Sequence, residues 1–411
     1  MAHAPADRAS LSQWALALTA TSTMAVSYVD RQTFAVLAPT VKHALGISDS
    51  AYGTLLAAFA LAYLVAAPVA GRLVDALGAR RGLLAAVLAW SAVAAAHALA
   101  PSFGALLALR VALGAAEAPS FPGAAQTVQR ALPPSARSTG FGVLFSGSSV
   151  GAMIAPPLAT ALEARYGFRF AFVGSALVGL AWVPIWVLVA FSRSGRERLD
   201  APRLAADPAP PLLDVILSPA VLRLVAIVIA SAPFLNLVMN WGATYLVGDH
   251  GLSQHDVGYY LAFPPIVFDA GSIAFGKAAS HLRARTDRPV PPWLVALASA
   301  MLLAGAAVPF APGPLGAMLV ASVAMAGGAG LYALGFVDAL GRVPPRAVAT
   351  VGGLGAAAQS IAQIVVNPLI GWSVESTHHY TRIFVLLGLW VLPGAGFWLA
   401  WNPRPPAVDR A

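Results

Sequence analysis

Gly71-Arg72-Leu73-Val74-Asp75-Ala76-Leu77-Gly78-Ala79-Arg80-Arg81-Gly82 is a short charged stretch between two long apolar runs, near residues 51–72 and 82–99. Each run approaches the roughly 20 residues that a helix needs to cross a bilayer. The stretch therefore reads as a tight loop joining two membrane-spanning helices, and its residues have readable jobs. Gly71 would let two helices approach closely. Asp75 stands near a helix end, where it accepts from a neighbouring helix N-terminus or an arginine. Gly78 supplies a tight turn, while Arg80 and Arg81 anchor to lipid headgroups and carbonyls. The plainer reading is a charged connecting loop, and context decides between the two.

That context is a chain of repeated apolar runs. Spans are expected near 14–38, 51–72, 82–99, 103–129, 138–162 and 168–192, then near 220–247, 254–277, 291–311, 314–340, 346–373 and 380–401. Of the 411 residues, 58% are hydrophobic and 10% charged, whereas an ordinary soluble domain carries roughly 25% charged residues. Length alone would suggest two or three soluble domains, but the recurring spans override it. The first run is too long for a removable leader and continues into Asp30-Arg31 in place of a small-residue cleavage site. Lack of cysteine excludes disulfides and thiol chemistry.

The net charge of +8 would suit nucleic acid, yet the cations form no basic face. They sit in short loops, so a lipid surface is expected as neighbour and nucleic acid is not. With a cytoplasmic N-terminus, 19 of the 25 basic residues fall in loops on that side. Lys42, Arg165, Arg169 and Arg382 fall opposite, and Arg31 and Arg110 lie inside spans. Such a bias places both termini in the cytoplasm. The sequence thus predicts an all-α membrane protein with twelve transmembrane helices in two six-helix pseudo-symmetric halves. Residues 1–192 form the first half, 193–219 a cytoplasmic linker and 220–411 the second half. The linker's Pro and Arg content suggests a tether along the membrane surface.

Four charges cluster inside the first half: Asp30 and Arg31 in span one, Arg110 and Glu117 in span four. A charge at the bilayer centre costs from about 2.5 to well over 10 kcal/mol, depending on how it is measured. Arg110 and Glu117 are seven residues apart, two helical turns, and share a face. One reading is a buried ion network that merely holds helices together. The other is a substrate and proton site: an arginine fork matches a carboxylate, and an embedded acid can change protonation. The second is preferred because intramembrane charges default to function. Span one ends a few residues after Arg31, which sets that arginine toward the outer end of the cavity.

The loop from Gly71 to Gly82 resembles the signature loop of the major facilitator superfamily, glycine-x-x-x-aspartate-x-x-glycine followed by basic residues. Its second-half counterpart, Gly276-Lys277 to Arg288, is degenerate. Tyr28-Val29-Asp30-Arg31 and Arg110 to Pro122, with Gly114 and Glu117 inside it, look like the anion:cation symporter family within that superfamily. Ser146-Gly147-Ser148-Ser149 through Pro156-Pro157 and Phe268-Asp269-Ala270-Gly271 are similar to the same family, the former especially to its hexuronate branch. That family includes bacterial hexuronate, galactonate and glucarate carriers and the animal sialic acid and vesicular glutamate transporters. The resemblance implies a major facilitator fold and a secondary active transporter of an organic anion, most simply a sugar acid of hexuronate or aldonate type. It further implies proton symport by alternating access, in a bacterial cytoplasmic (inner) membrane and as a monomer. The family pattern assigns Arg31 to the anionic group of the substrate. Arg110 is implied to pair with Glu117 and to help hold or release substrate, with Asp30 and Glu117 as the proton-carrying acids. The vesicular glutamate branch has an arginine in span seven, where this chain has Asn236, Asn240 and Tyr245. That departure fits a single carboxylate on a polyhydroxylated body.

Gln359, Gln363 and Asn367 recur every four residues along span eleven, a polar stripe that either lines the cavity or bonds helix to helix. Tyr63 and Tyr332 are further candidates, although tyrosine near a membrane boundary is often a belt residue. Asp269 reads equally as a titrating site or as a partner for a neighbouring helix. His378 and His379 belong to an outer loop without metal-site spacing, so no metal is expected. There is no P-loop and no nucleophile-base set. The chain is accordingly expected to be no enzyme and to need no cofactor beyond a proton gradient. A monocarboxylate or aromatic-acid carrier, a drug/proton antiporter and a transport-dead sensor are the alternatives.

Overall fold

Serine starts many of the helices. In the computed structural model, which describes residues 9–200, 211–283, 289–344 and 347–403, Ser10 caps α1 (Leu11–Val36) in a capping box with Gln13. Ser48 caps α3 (Asp49–Ala96), which follows the short α2 (Ala38–Leu45). Ser102 caps α4 (Phe103–Glu117). Such caps satisfy amide groups that a helix start leaves unpaired. After α4 come α5 (Ser120–Ala131), α6 (Pro134–Tyr166) and α7 (Phe168–Ala190). Ser192, Ser218 and Ser253 in turn cap α8 (Arg193–Leu199), α10 (Pro219–His250) and α11 (Gln254–Leu261), with α9 (Leu212–Ile216) between the first two. The chain continues through α12 (Phe263–Arg283), α13 (Pro292–Leu303), α14 (Gly313–Leu340), α15 (Val348–Thr377), α16 (Thr381–Leu389) and α17 (Val391–Ala400). The loop cations Arg8, Arg203, Arg285, Arg288, Arg346, Arg404 and Arg410 and the linker residues 201–210 lie outside the described residues.

Among the described residues, nine helical stretches are long and apolar enough to cross a membrane. One of them, Asp49–Leu99, has 51 residues, far more than one crossing needs. It breaks at Gly78, whose φ of 76° and ψ of 150° suit glycine alone. Counted as two crossings, and joined by α1 and by α11 with α12, these stretches give the twelve expected. The fold is that of a multi-pass helical membrane protein. α1 escapes a test of apolarity for a reason: its buried residues include Thr21, Thr23, Ser27, Asp30, Gln32 and Thr33.

The helices cluster into two compact units. One comprises Met1–Leu204 with Leu252–Ala262, the other Ala205–Gly251 with Phe263–Ala411. α11 thus packs with the first unit. Gln254 Nε2 donates to Val36 O at 2.7 Å, and a Cβ on Gly258 would meet Thr160 Oγ1 at 2.3 Å. The expected single span 254–277 is accordingly broken at Ala262, beside Pro264 and Pro265. In the second unit α10 and α14 are the innermost helices, with 78% and 72% of their spanning windows buried.

The signature loop works differently from its first reading. A Cβ on Gly71 would meet nothing within 4 Å, so among the described residues this glycine makes no close helix approach. The close approaches lie elsewhere: a Cβ on Gly114 would fall 2.4 Å from Phe59 O, and one on Gly151 would fall 2.2 Å from Ala25 O. Asp75 Oδ1 accepts from Gln126 Nε2 at 2.9 Å, and Gln126 Oε1 accepts from Ala79 N at 3.0 Å. An amide on α5 therefore bridges the two sides of the Gly78 turn. Arg80 is buried and does not reach out to lipid. It grips Asp200 (Nη2–Oδ2 2.5 Å) and lies 4.5 Å over the Phe191 ring. Together with Arg130, which donates to Leu199 O, it folds the first part of the linker, α8, against the first unit.

Arg223, counted among the loop cations, is 1% exposed within α10. It donates to Asp338 Oδ2 at 2.8 Å, and Arg342 donates to Asp338 Oδ1 at 2.9 Å. Arg223 also donates to Trp398 O of α17, and Arg342 donates to Pro403 O just after it. Two arginines counted with the loops and an aspartate inside the span near 314–340 gave no sign of this clasp.

Candidate functional site

Proline sets the local geometry of the first unit's acid. α4 ends at Glu117 and α5 begins at Ser120, with Pro119 between them. Proline has no N–H and cannot continue the backbone ladder, so Glu117 stands at a helix break, fully buried. Arg31 Nε of α1 donates to Glu117 Oε2 at 2.6 Å. The Arg31 side chain is 19% exposed and that of Glu117 0%. The Arg31 guanidinium also lies 5.0 Å from the Tyr28 ring centre, 5.0 Å from Phe59 and 4.8 Å from Tyr63. An aromatic cage of this kind holds a planar cation in place while leaving its N–H edge available. Arg31 Nη2 and Glu117 Oε1 are buried without hydrogen-bond partners.

The pairing is therefore not the one implied by family pattern. Glu117 is joined to Arg31, and no ion pair among the described residues joins it to Arg110. Arg110 is 2% exposed, with Nε and Nη1 unpartnered. Its guanidinium packs 4.4 Å from both Phe34 and Phe59. Phe59 thus touches both arginines, and α3 sets their separation. Asp30, next to Arg31 in sequence, is 3% exposed and faces Ser175 of α7, with Glu117 and Arg31 within range of its charge. Helical geometry turns successive residues by about 100°, so neighbours in α1 serve different surroundings.

In the second unit the amides converge on one another. Asn236 Nδ2 and Trp241 Nε1 of α10 donate to Asn367 Oδ1 at 2.7 and 3.0 Å. Asn240 Nδ2 donates to Asn236 Oδ1 at 2.7 Å, and Asn367 Nδ2 donates to Gln363 O at 2.9 Å. Asn236 and Asn367 are buried, Asn240 half-buried. The cluster bonds α10 to α15, one of the two uses the polar stripe allowed. Gln359 is half-buried, and Tyr332 Oη donates to its Oε1 at 3.5 Å. Tyr245 is buried against His250 Nε2 at 2.9 Å. Asp269 is half-buried on α12, and His379 is 72% exposed beside Asp249 at 3.8 Å.

Sequence reasoning missed the roles of Phe34 and Phe59, of Gln126 and of Trp241. A signal existed for one of them: Phe59 and Tyr63 are four apart on an apolar helix and stack at 6.3 Å, one-sided aromatics facing an embedded cation.

A chain built of bilayer-length helices, with an ion pair and a second arginine packed on two rings buried among them, is a membrane protein organised around internal charge. It belongs to the major facilitator superfamily, whose description matches residues 20–366. This is a superfamily of transporters, in agreement with the expectation of no enzymatic chemistry. The chain is 35% identical to the hexuronate transporter of Escherichia coli (strain K12) over 176 residues, 43% of this chain and 41% of that protein. It is 26% identical over 267 residues to the hexuronate transporter of Bacillus subtilis (strain 168), covering 64% and 63% of the two. A probable galactarate/D-glucarate transporter of Bacillus subtilis (strain 168) is 24% identical over 413 residues, 93% of this chain and 90% of that one. The chain thus covers less than half the length of the Escherichia coli relative. These names agree with the sugar-acid side of the resemblance seen in sequence. Among solved structures, a bacterial homologue of the human lysosomal transporter Spinster superposes with a TM-score of 0.79 at 18% identity, covering 97% of this chain and 100% of that one. At that identity the likeness speaks for the fold alone.

Proposed function

We propose that the chain is a secondary active transporter that carries a small organic anion, a sugar acid of hexuronate or aldonate type, together with protons. The observation that carries the reading is Arg31. Its side chain is partly exposed; its guanidinium is gripped at Nε by a buried carboxylate and caged by three rings, and its buried Nη2 has no hydrogen-bond partner. A substrate carboxylate competes with Glu117 for this fork, and protonating Glu117 lowers that competition. Anion binding and proton binding then favour each other, which is the thermodynamic core of symport. The names of the sugar-acid relatives support the substrate class. The excess of loop cations on one side of the expected spans supports a bacterial cytoplasmic membrane with both termini inside. Alternating access completes the cycle, with the proton gradient in place of any cofactor.

Uptake of radiolabelled D-glucuronate, D-galacturonate, D-galactonate and D-glucarate into proteoliposomes under an imposed proton gradient tests the proposal. Gradient-dependent uptake of at least one is expected; no uptake across the set, or uptake indifferent to the gradient, contradicts it. One observation favours a second reading, an aromatic or other monocarboxylic acid. Asn236 and Asn367 are engaged with each other, while Tyr28, Phe59 and Tyr63 offer ring surface. Benzoate displacing D-glucuronate at equal concentration would favour that reading.

A further inference from the structure

Asp30 has no ion-pair partner among the described residues, yet it stands at the head of a polar seam. Ser175 of α7 faces it, is 2% exposed and donates its hydroxyl to Phe172 O at 3.0 Å. One turn further along α7 lies Gly179, where an added Cβ would fall 2.2 Å from Ser91 Oγ and 3.3 Å from a Val26 methyl. Ser91 of α3 therefore sits between Val26 and Gly179, one turn from Asp30 on α1 and from Ser175 on α7. It is 1% exposed, and its Oγ has no hydrogen-bond partner. A turn beyond, Trp182 Nε1 donates to Ser22 Oγ at 3.0 Å and to Thr19 O at 2.7 Å. Another turn on, Trp186 Nε1 donates to Arg80 O at 3.0 Å.

Polar groups thus recur at every helical turn between α1, α3 and α7, from Asp30 to the end of the unit that carries the Gly78 turn. Helix packing in a membrane asks for small residues at such a seam, and Gly179 meets that need. It does not ask for a buried carboxyl beside a buried serine hydroxyl that is left without a partner. Unsatisfied polar atoms in a dry interior are costly, and those that persist mark pathways.

We propose that this seam is the proton path of Asp30. The inference rests on the reading of the chain as proton-coupled. Asp30 gives its carboxyl proton to Ser175 Oγ while the Ser175 hydroxyl proton, now donated to Phe172 O, passes on to Ser91 Oγ and the Ser91 hydroxyl proton passes to a water beside it. At each oxygen one O–H bond forms as one breaks, and Asp30 is left as carboxylate. The Gly179 contact keeps Ser91 within the seam, and the indole N–H groups of Trp182 and Trp186, which only donate, hold the helices together beyond it.

Proton exchange at Asp30 is the direct readout. Purified protein in lipid is moved from H2O to D2O at fixed acidic pH, and infrared difference spectra follow the carboxyl C=O stretch that Asp30→Asn removes. In the Ser91→Ala/Ser175→Ala double variant the isotope shift is expected to slow by about tenfold or more, with Ser175→Thr restoring the wild-type rate. Equal rates in wild type and double variant overturn the proposal. So does the absence of any Asp30-dependent band between about pH 4 and 8, since Asp30 would then carry no proton. In proteoliposomes the double variant should lose gradient-driven D-glucuronate uptake while keeping exchange of labelled for unlabelled D-glucuronate. Loss of both would mark the serines as packing and overturn the proposal too. A wild type that takes up no D-glucuronate would count against the proposed substrate alone, because the infrared exchange decides the path either way.

Discussion

Glu117→Gln separates the two jobs of the Arg31–Glu117 pair. The carboxylate is fully buried and accepts from Arg31 Nε at 2.6 Å. Glutamine keeps the shape and one acceptor but loses the charge. A hydrogen bond to a charged group contributes about 1.5–3 kcal/mol, against about 0.5–1.5 for a neutral one, so the hold on Arg31 weakens by about 1–1.5 kcal/mol. A substrate carboxylate that competes for the same fork gains what Glu117 gives up, and anion affinity rises by about five- to twelve-fold. The 19% exposure of the Arg31 side chain lets water screen part of this charge effect and favours the lower end. Calorimetry of the purified variant with D-galacturonate at neutral pH measures the affinity. Proteoliposome uptake with and without a proton gradient measures the coupling. Tighter binding, preserved exchange and loss of the gradient response are expected together. Weaker binding than wild type, or an undiminished response to the gradient, would refute the competition on which the reasoning rests.

Arg31→Lys keeps a cation but loses the planar fork and the stacking on Tyr28, Phe59 and Tyr63; at about 1.5–3 kcal/mol, D-galacturonate binding by calorimetry should weaken roughly ten- to hundred-fold. Gly114→Val forces a side chain into Phe59 O, 2.4 Å from the ideal Cβ, so the melting free energy should fall by about 1–3 kcal/mol in thermal unfolding, with anion binding weakened as Phe59 shifts against both arginines. Asn367→Leu strands the donors of Trp241 and Asn236. Denaturation should report a loss of about 2–4 kcal/mol, whereas unchanged stability with lost uptake would assign Asn367 to substrate instead.

The membrane architecture was legible because it is written in one dimension. Apolar runs of bilayer length and the alternation of loop arginines are properties of the chain itself, and the Gly78 turn shows directly in a glycine flanked by helix formers. The embedded charges were legible for a related reason, since Arg31, Arg110, Asp30 and Glu117 are conspicuous in apolar runs. Which charge meets which was not. Spacing put Arg110 and Glu117 on one face of one helix, yet the partner came from α1, across a helix–helix contact that no local periodicity encodes. For the same reason Arg80 and Arg223 looked like lipid-facing loop cations, although Asp200 and Asp338 each draw one of them inside from far along the chain. Gly71 carries the opposite lesson. Its place in a motif suggested a close approach, but the tight contacts fall on Gly114 and Gly151, whose neighbours are set by tertiary packing.

Proton movement that accompanies sugar-acid entry tests the central claim most directly. Proteoliposomes loaded with a pH-sensitive dye, with no gradient imposed, receive external D-galacturonate while internal pH is recorded. The account predicts acidification of the lumen that tracks radiolabel uptake and is absent in Arg31→Ala. Uptake of D-galacturonate without acidification, or acidification that survives Arg31→Ala, would contradict it.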